Sequence, residues 1–135
     1  MKHHTNTTGP SADGFRRGLI HAINLAKANG TNQVLMKVHT LRNVGGVMED
    51  VLGRKAVKTF KKKRCLTSDS VAIILETERV RSPFSRGVIF CPFGSLPLLT
   101  SCVSDARATD TVFVPWAEQE ASGYQTMHPN SSLVP

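Results

Sequence analysis

The chain has 135 residues, 40% apolar and 20% charged, a balance that fits one soluble globular domain with a single core and excludes an intrinsically disordered chain. No apolar run approaches the roughly 18 residues of a membrane span, and the polar opening MKHHTNTTGPSADG lacks the apolar core of a secretory signal. The net charge of +7 is local, because eight of the 17 Lys and Arg residues lie between Arg42 and Arg64, opposed there only by Glu49 and Asp50.

Residues 1–10 and 126–135 are rich in Thr, Asn, Ser and Pro with little periodicity and are expected to be flexible tails around a single α/β domain over 11–125. Inside it, Phe15, Leu19, Ala22, Ile23 and Ala26 recur at helical spacing, with Ser11 or Asp13 as N-cap and Asn29-Gly30 as the stop. QVLMKVHT, 33–40, is the first strand. Beyond Gly45-Gly46, the residues Val47, Met48, Val51 and Leu52 make a second helical stripe, which Gly53 breaks and Ala56, Val57 and Phe60 resume. Its basic end complements the helix dipole. VAIILETERV, 71–80, and GVIFCPF, 87–93, are the second and third strands. Ser95 and Pro97 open a helix carrying Leu98, Leu99, Cys102, Val103 and Ala106 on one face. TVFVPW, 111–116, is the fourth strand, and AEQEASGY, 117–124, a closing helix.

Helices alternating with strands predict a single-domain three-layer αβα fold with a mixed, mostly parallel sheet of about four strands. The pattern resembles Rossmann-like domains at the level of fold, but no G-x-G-x-x-G or P-loop fingerprint is intact, so it implies neither a cofactor nor an activity. RSPFSR, 81–86, is short for a helical crossover and favours an antiparallel hairpin between the second and third strands. The alternative is a helix-free parallel crossover. Cys65, Cys91 and Cys102 form an odd set without CxxC spacing, which points to a reducing compartment and hence the cytoplasm.

Two loops carry candidate chemistry. In HTLRNVGG, His39, Thr40, Arg42 and Asn43 offer polar groups to a phosphate or carboxylate, and Gly45 and Gly46 let backbone approach a ligand closely. The plainer reading makes the glycines a bend before a helix. In ETERVRSPFSR, Glu76, Glu78, Arg79 and Arg81 form either a polar site wall or a solvated hairpin end. Together the loops predict a binding domain for an anionic or nucleotide-like small molecule. Lys37, inside an apolar strand, needs a partner if covered, and Glu76 on a neighbouring parallel strand is the best one; otherwise Lys37 snorkels to the rim. Cys91 reads as a buried core thiol more readily than as a nucleophile. His21, His39 and His128 are too dispersed for a metal motif, and His3-His4 lie in a tail, so no metal site is expected.

Two alternatives come from other classes. The basic helix end, 54–64, offers phosphate contacts to a nucleic acid, although no aromatic residues are interleaved for stacking. A small enzyme would use Glu76, Glu78 and His39 as acid–base groups. For assembly, Trp116 and Tyr124 beside the fourth strand predict a homodimer that uses that strand and the last helix.

Overall fold

A computed structural model describes residues 1–135. In chain order its elements are β1 (Lys2–His4), α1 (Ala12–Ala28), β2 (Gln33–Val38), a 3-10 turn (Leu41–Asn43), α2 (Val47–Leu52), α3 (Arg54–Lys63), β3 (Cys65–Ser68), β4 (Val71–Thr77), β5 (Gly87–Pro92), α4 (Leu96–Val103), β6 (Ala108–Val114), α5 (Glu118–Met127) and β7 (Ser132–Leu133). The strands form one sheet in the order β3-β4-β2-β5-β6-β1-β7. Every pairing is parallel except that of β3 with β4. No helix is long and apolar enough to cross a membrane.

Local chemistry accounts for the main elements. Ser11, in extended conformation, caps α1 by accepting from the Gly14 N–H at 2.9 Å, and the helix buries Phe15, Leu19, Ala22, Ile23 and Ala26. Gly18 lets that face lie close on the sheet, since a Cβ there would come within 2.8 Å of the Phe90 ring and 2.9 Å of Val114. Period-two alternation splits β2: Val34, Met36 and Val38 join a core with α1, α2 and α3, while Leu35 joins a second core with α4 and α5. The sheet therefore lies between two helical layers, as the alternating pattern predicts.

The strand count is seven rather than four, and the additional strands are short and polar. β1 contains KHH and β7 only Ser132 and Leu133, so neither shows the apolar alternation by which strands are recognised. Backbone pairing places them: β1 is parallel to β6, with His3 opposite Val112, and β7 is parallel to β1. Strands thus stand where frayed ends were expected. As a result β6 is not an edge, and Tyr124 is buried in the second core, so neither is free for the subunit contact predicted for them.

The expected hairpin is also absent. β4 and β5 both run parallel to β2, which separates them, and the chain passes from one to the other through residues 78–86 without a helix. The antiparallel partner of β4 is instead β3, through a tight turn in which Asp69 and Ser70 take positive φ of 50° and 66°. Only Leu66 of β3 is partly buried against the core, so its sequence gives little strand signal.

A buried carboxylate holds the helix-free crossover. Glu76 is fully buried, and Lys37 Nζ donates to its Oε2 at 2.7 Å. Arg107 grips both oxygens, Nη1 to Oε1 at 3.1 Å and Nη2 to Oε2 at 2.9 Å. Ser82 donates its N–H and its hydroxyl to Oε1, each at 2.9 Å, and two residues on Phe84 enters the second core. Asp105 holds Arg107 in place from the other side, Nη2 to Oδ2 at 2.7 Å. The Lys37–Glu76 pair agrees with the sequence reading; Arg107, Ser82 and Asp105 complete it.

Burial alone pushes the Glu76 carboxyl up, but hydrogen bonds from Arg107, Lys37 and Ser82 overcome this and hold its pKa at about 2. A depressed carboxyl pKa stabilises the fold above the ordinary value of 4.5, and that contribution is lost as pH falls toward 2. Glu76→Gln leaves the largely buried Lys37 without its counter-charge and Arg107 with Asp105 alone, so urea unfolding is expected to show a loss of about 3–5 kcal/mol at neutral pH. The acid slope of stability should also be shallower in the variant. An unchanged midpoint, or an acid slope equal to that of the wild type, would contradict the assignment.

Candidate functional site

From β2 the chain leaves through α2 and α3 on one face of the sheet toward β4. From β5 it leaves through α4 on the other face toward β6. The loops at the carboxyl ends of β2 and β5 therefore diverge, and such a divergence opens a crevice in an open parallel sheet. A cleft of about 490 Å³ lies there. One wall is Val38, His39, Arg42, Asn43, Gly45, Gly46, Val47 and Met48; the other is Pro10, Pro92, Phe93 and Trp116.

The first wall is a donor surface. Four of its carbonyls are used internally: Thr40 O accepts from Asn43 N–H, Leu41 O from Val44 N–H, Gly45 O from Met48 N–H and Gly46 O from Asp50 N–H, at 3.0–3.1 Å. Asn43 Oδ1 accepts from the Thr40 N–H at 3.0 Å and from the Thr40 hydroxyl at 3.2 Å, which commits the acceptor and leaves the Nδ2 amide free. The N–H groups of Gly45 and Gly46 have no protein acceptor, and the Arg42 side chain is exposed without an acidic partner. Gly46 has φ +49°, a conformation that suits glycine and turns the loop into α2. His39 sits at the back of this wall with both nitrogens engaged. Its Nε2 accepts from Ser95 N–H at 3.1 Å, so the ring proton lies on Nδ1 and is donated to Glu78 Oε1 at 3.1 Å.

The second wall is aromatic. Phe93 follows β5 with φ +59°, a strained value for a residue with a side chain, and its N–H donates to Val114 O at 2.7 Å. Its ring packs beside Phe15 at 6.3 Å and meets Trp116 edge to face at 5.4 Å. Trp116 remains 48% exposed, an unusual position for the one tryptophan of the chain.

The predicted loops are thus divided. His39, Arg42, Asn43, Gly45 and Gly46 line the cleft, and Thr40 braces the loop from outside it. Glu78 reaches the site only through His39. Glu76 lies beneath the crossover with both oxygens saturated, leaving no lone pair for a substrate or metal, so it does not pair with Glu78 and His39 as an acid–base set. Arg79 and Arg81 are exposed and outside the cleft. With Arg107 hydrogen-bonded to it and Arg81 nearby, the Asp105 carboxyl is held below its ordinary range. Phe93 escaped sequence reasoning, because nothing in FCPFG marks a positive φ. Cys91 is fully buried in the second core, its thiol pushed well up by Cys102 and by burial, which fits a packing role.

No family model matches the chain, and neither a curated protein nor a solved structure does. Phe93→Ala is expected to move Trp116 emission to the red, increase its quenching by acrylamide, and reduce stability by about 1 kcal/mol as the edge-to-face pair is lost. Unaltered emission would show that Phe93 does not shape this wall.

Proposed function

We propose that the chain binds an anionic, nucleotide-like small molecule in the cleft between the β2 and β5 loops. The observation that carries this reading is the polarity of the 39–46 loop. The carbonyls of Thr40, Leu41, Gly45 and Gly46 and the Asn43 Oδ1 are spent on internal hydrogen bonds, while the Gly45 and Gly46 N–H groups, Asn43 Nδ2 and Arg42 have no protein partners. A surface offering donors and one cation selects an acceptor-rich anion. The cleft volume lies in the range of small-ligand sites, and the aromatic wall opposite suits the flat part of such a molecule.

Thermal-shift titration with phosphate-bearing metabolites tests the proposal, because a ligand that binds only the folded state raises its melting temperature. Arg42→Ala is expected to weaken binding roughly 10- to 100-fold, the range for a lost charge-assisted hydrogen bond. Silence across a broad panel, or binding indifferent to Arg42→Ala, would overturn it.

A second reading uses α3. Lys55, Lys58 and Lys62 are exposed at spacings of three and four, opposite the buried Val57 and Phe60. Among the cations of this helix only Arg54 has an acidic neighbour, Glu49 at 3.6 Å. Such a stripe is suited to phosphates of a nucleic acid, with affinity that falls steeply with salt and declines with each Lys→Ala change. Affinity unaffected by those changes would remove this reading.

A further inference from the structure

Four of the five histidines meet around β1, and the cleft mechanism uses none of them. His3 is buried on the α1 side of the sheet, with its Nδ1 3.1 Å from Nε2 of His21. One of these two nitrogens donates and the other accepts, so the contact needs a lone pair and is lost when both rings are fully protonated. On its other side, His3 Nε2 is buried without a hydrogen-bond partner, and Asp110 Oδ1 stands 3.5 Å away. His4 points to the opposite face, where its Nδ1 lies 2.8 Å from Ser131 Oγ and its ring packs on Tyr124 at 5.4 Å. Ser131 also bonds the Tyr124 hydroxyl at 2.6 Å. His128 packs on the same tyrosine at 5.0 Å, with its Nε2 buried and unpartnered. The His3–His21 contact, which needs at least one ring with a free lone pair, therefore backs β1, and His4 with Ser131 ties β1 to the segment before β7, while Asp110 on β6 favours a protonated His3 and opposes release.

β1 is also connected to the cleft. The chain continues from His4 through Thr5, whose N–H donates to Phe113 O at 3.1 Å, and on to Gly9, whose N–H donates to Trp116 O. Pro10 follows and lines the cleft beside Trp116. We propose that β1 is an acid-released clasp: protonation of the histidines around it detaches β1 and β7 from β6 and loosens the Pro10–Trp116 wall of the cleft.

The surrounding charges set the direction. Burial lowers the pKa of His4 and His21, and the nearby His3 lowers both further; for His128 burial acts first and Lys2 adds to it. Asp110 on β6 acts the other way on His21 and offsets part of the penalty. The remaining groups near the cluster are the Met1 amino group, 3.4 Å from Asp110, Arg17 on α1 one turn before His21, and the neutral Tyr124 of α5. A histidine whose folded pKa lies below 6.5 stabilises the clasp above that pH and ceases to do so as pH falls through it.

Amide exchange followed by mass spectrometry on the intact chain at about pH 7.5 and about pH 5, corrected for intrinsic exchange, tests the clasp. Peptides covering β1 and β7 are expected to exchange about ten times faster at the lower pH as the clasp opens. Those covering β2 and β4 should hold their protection, and Trp116 emission should shift reversibly in parallel. The double variant His3→Gln, His21→Gln should lose most of this response. If it fails to fold, His21→Gln alone, at the partly exposed partner, should reduce it. No change between the two pH values, a rise shared equally by β2 and β4, or a full response in the folded variant would each overturn the proposal.

Discussion

A single carboxylate compensates for a helix the chain does not have. Two parallel strands separated by a third require a crossover, and a crossover ordinarily covers the sheet with a helix whose backbone satisfies itself. Residues 78–86 have no such internal bonding. Glu76 supplies an anchor beneath them through its five hydrogen bonds: two from Ser82 hold the loop, two from Arg107 bring in the turn before β6, and one from Lys37 ties β4 to β2. Removing this charge from water is costly, and only a saturated, doubly cationic surrounding makes its ionised form the stable one. Phe84, brought in by the same loop, seals the apolar side.

The strand order that this anchor supports determines where a ligand can sit. With β4 and β5 on opposite sides of β2, the loops after β2 and β5 turn toward different faces, and the crevice between them is left to side chains and loop backbone. Four separate parts of the chain shape it, one of them Trp116 after β6. The 39–46 loop contributes donors, the strained turn at Phe93 contributes an aromatic ring, and the segment after β1 brings in Pro10. The last of these depends on β1 remaining paired, so the cleft is structurally tied both to the middle of the sheet and to its short terminal strands.

Much of the scaffold could be read from residue pattern. The stripe from Phe15 to Ala26, the break at Gly53, the cap at Ser11 and the alternation of β2 are local signals, and each corresponds to an observed element. Even the Lys37–Glu76 pair was legible, because a lysine among apolar residues demands an acid at the same height on a neighbouring strand. Arg107 was not, since its role depends on a turn 31 residues away from Glu76. The hairpin expectation failed for the same reason: loop length alone favoured it, and the compensation that makes a short crossover stable comes from distant side chains. β1 and β7 left no trace because their pairing is carried by backbone and by polar contacts such as His4 with Ser131. At the cleft, the glycines and Arg42 were visible as a strand-to-helix loop, whereas the positive φ of Phe93 and the exposure of Trp116 arise only from tertiary packing.

The most direct measurement of this account is the exchange rate of the Ser82 amide by nuclear magnetic resonance, in the wild type and in Glu76→Gln. Ser82 lies in a partly exposed segment without secondary structure, where an amide lacking a strong acceptor exchanges quickly. The buried carboxylate predicts marked protection of this amide in the wild type and its loss in the variant. A Ser82 amide that already exchanges at the rate of an open loop in the wild type would contradict the role given to Glu76.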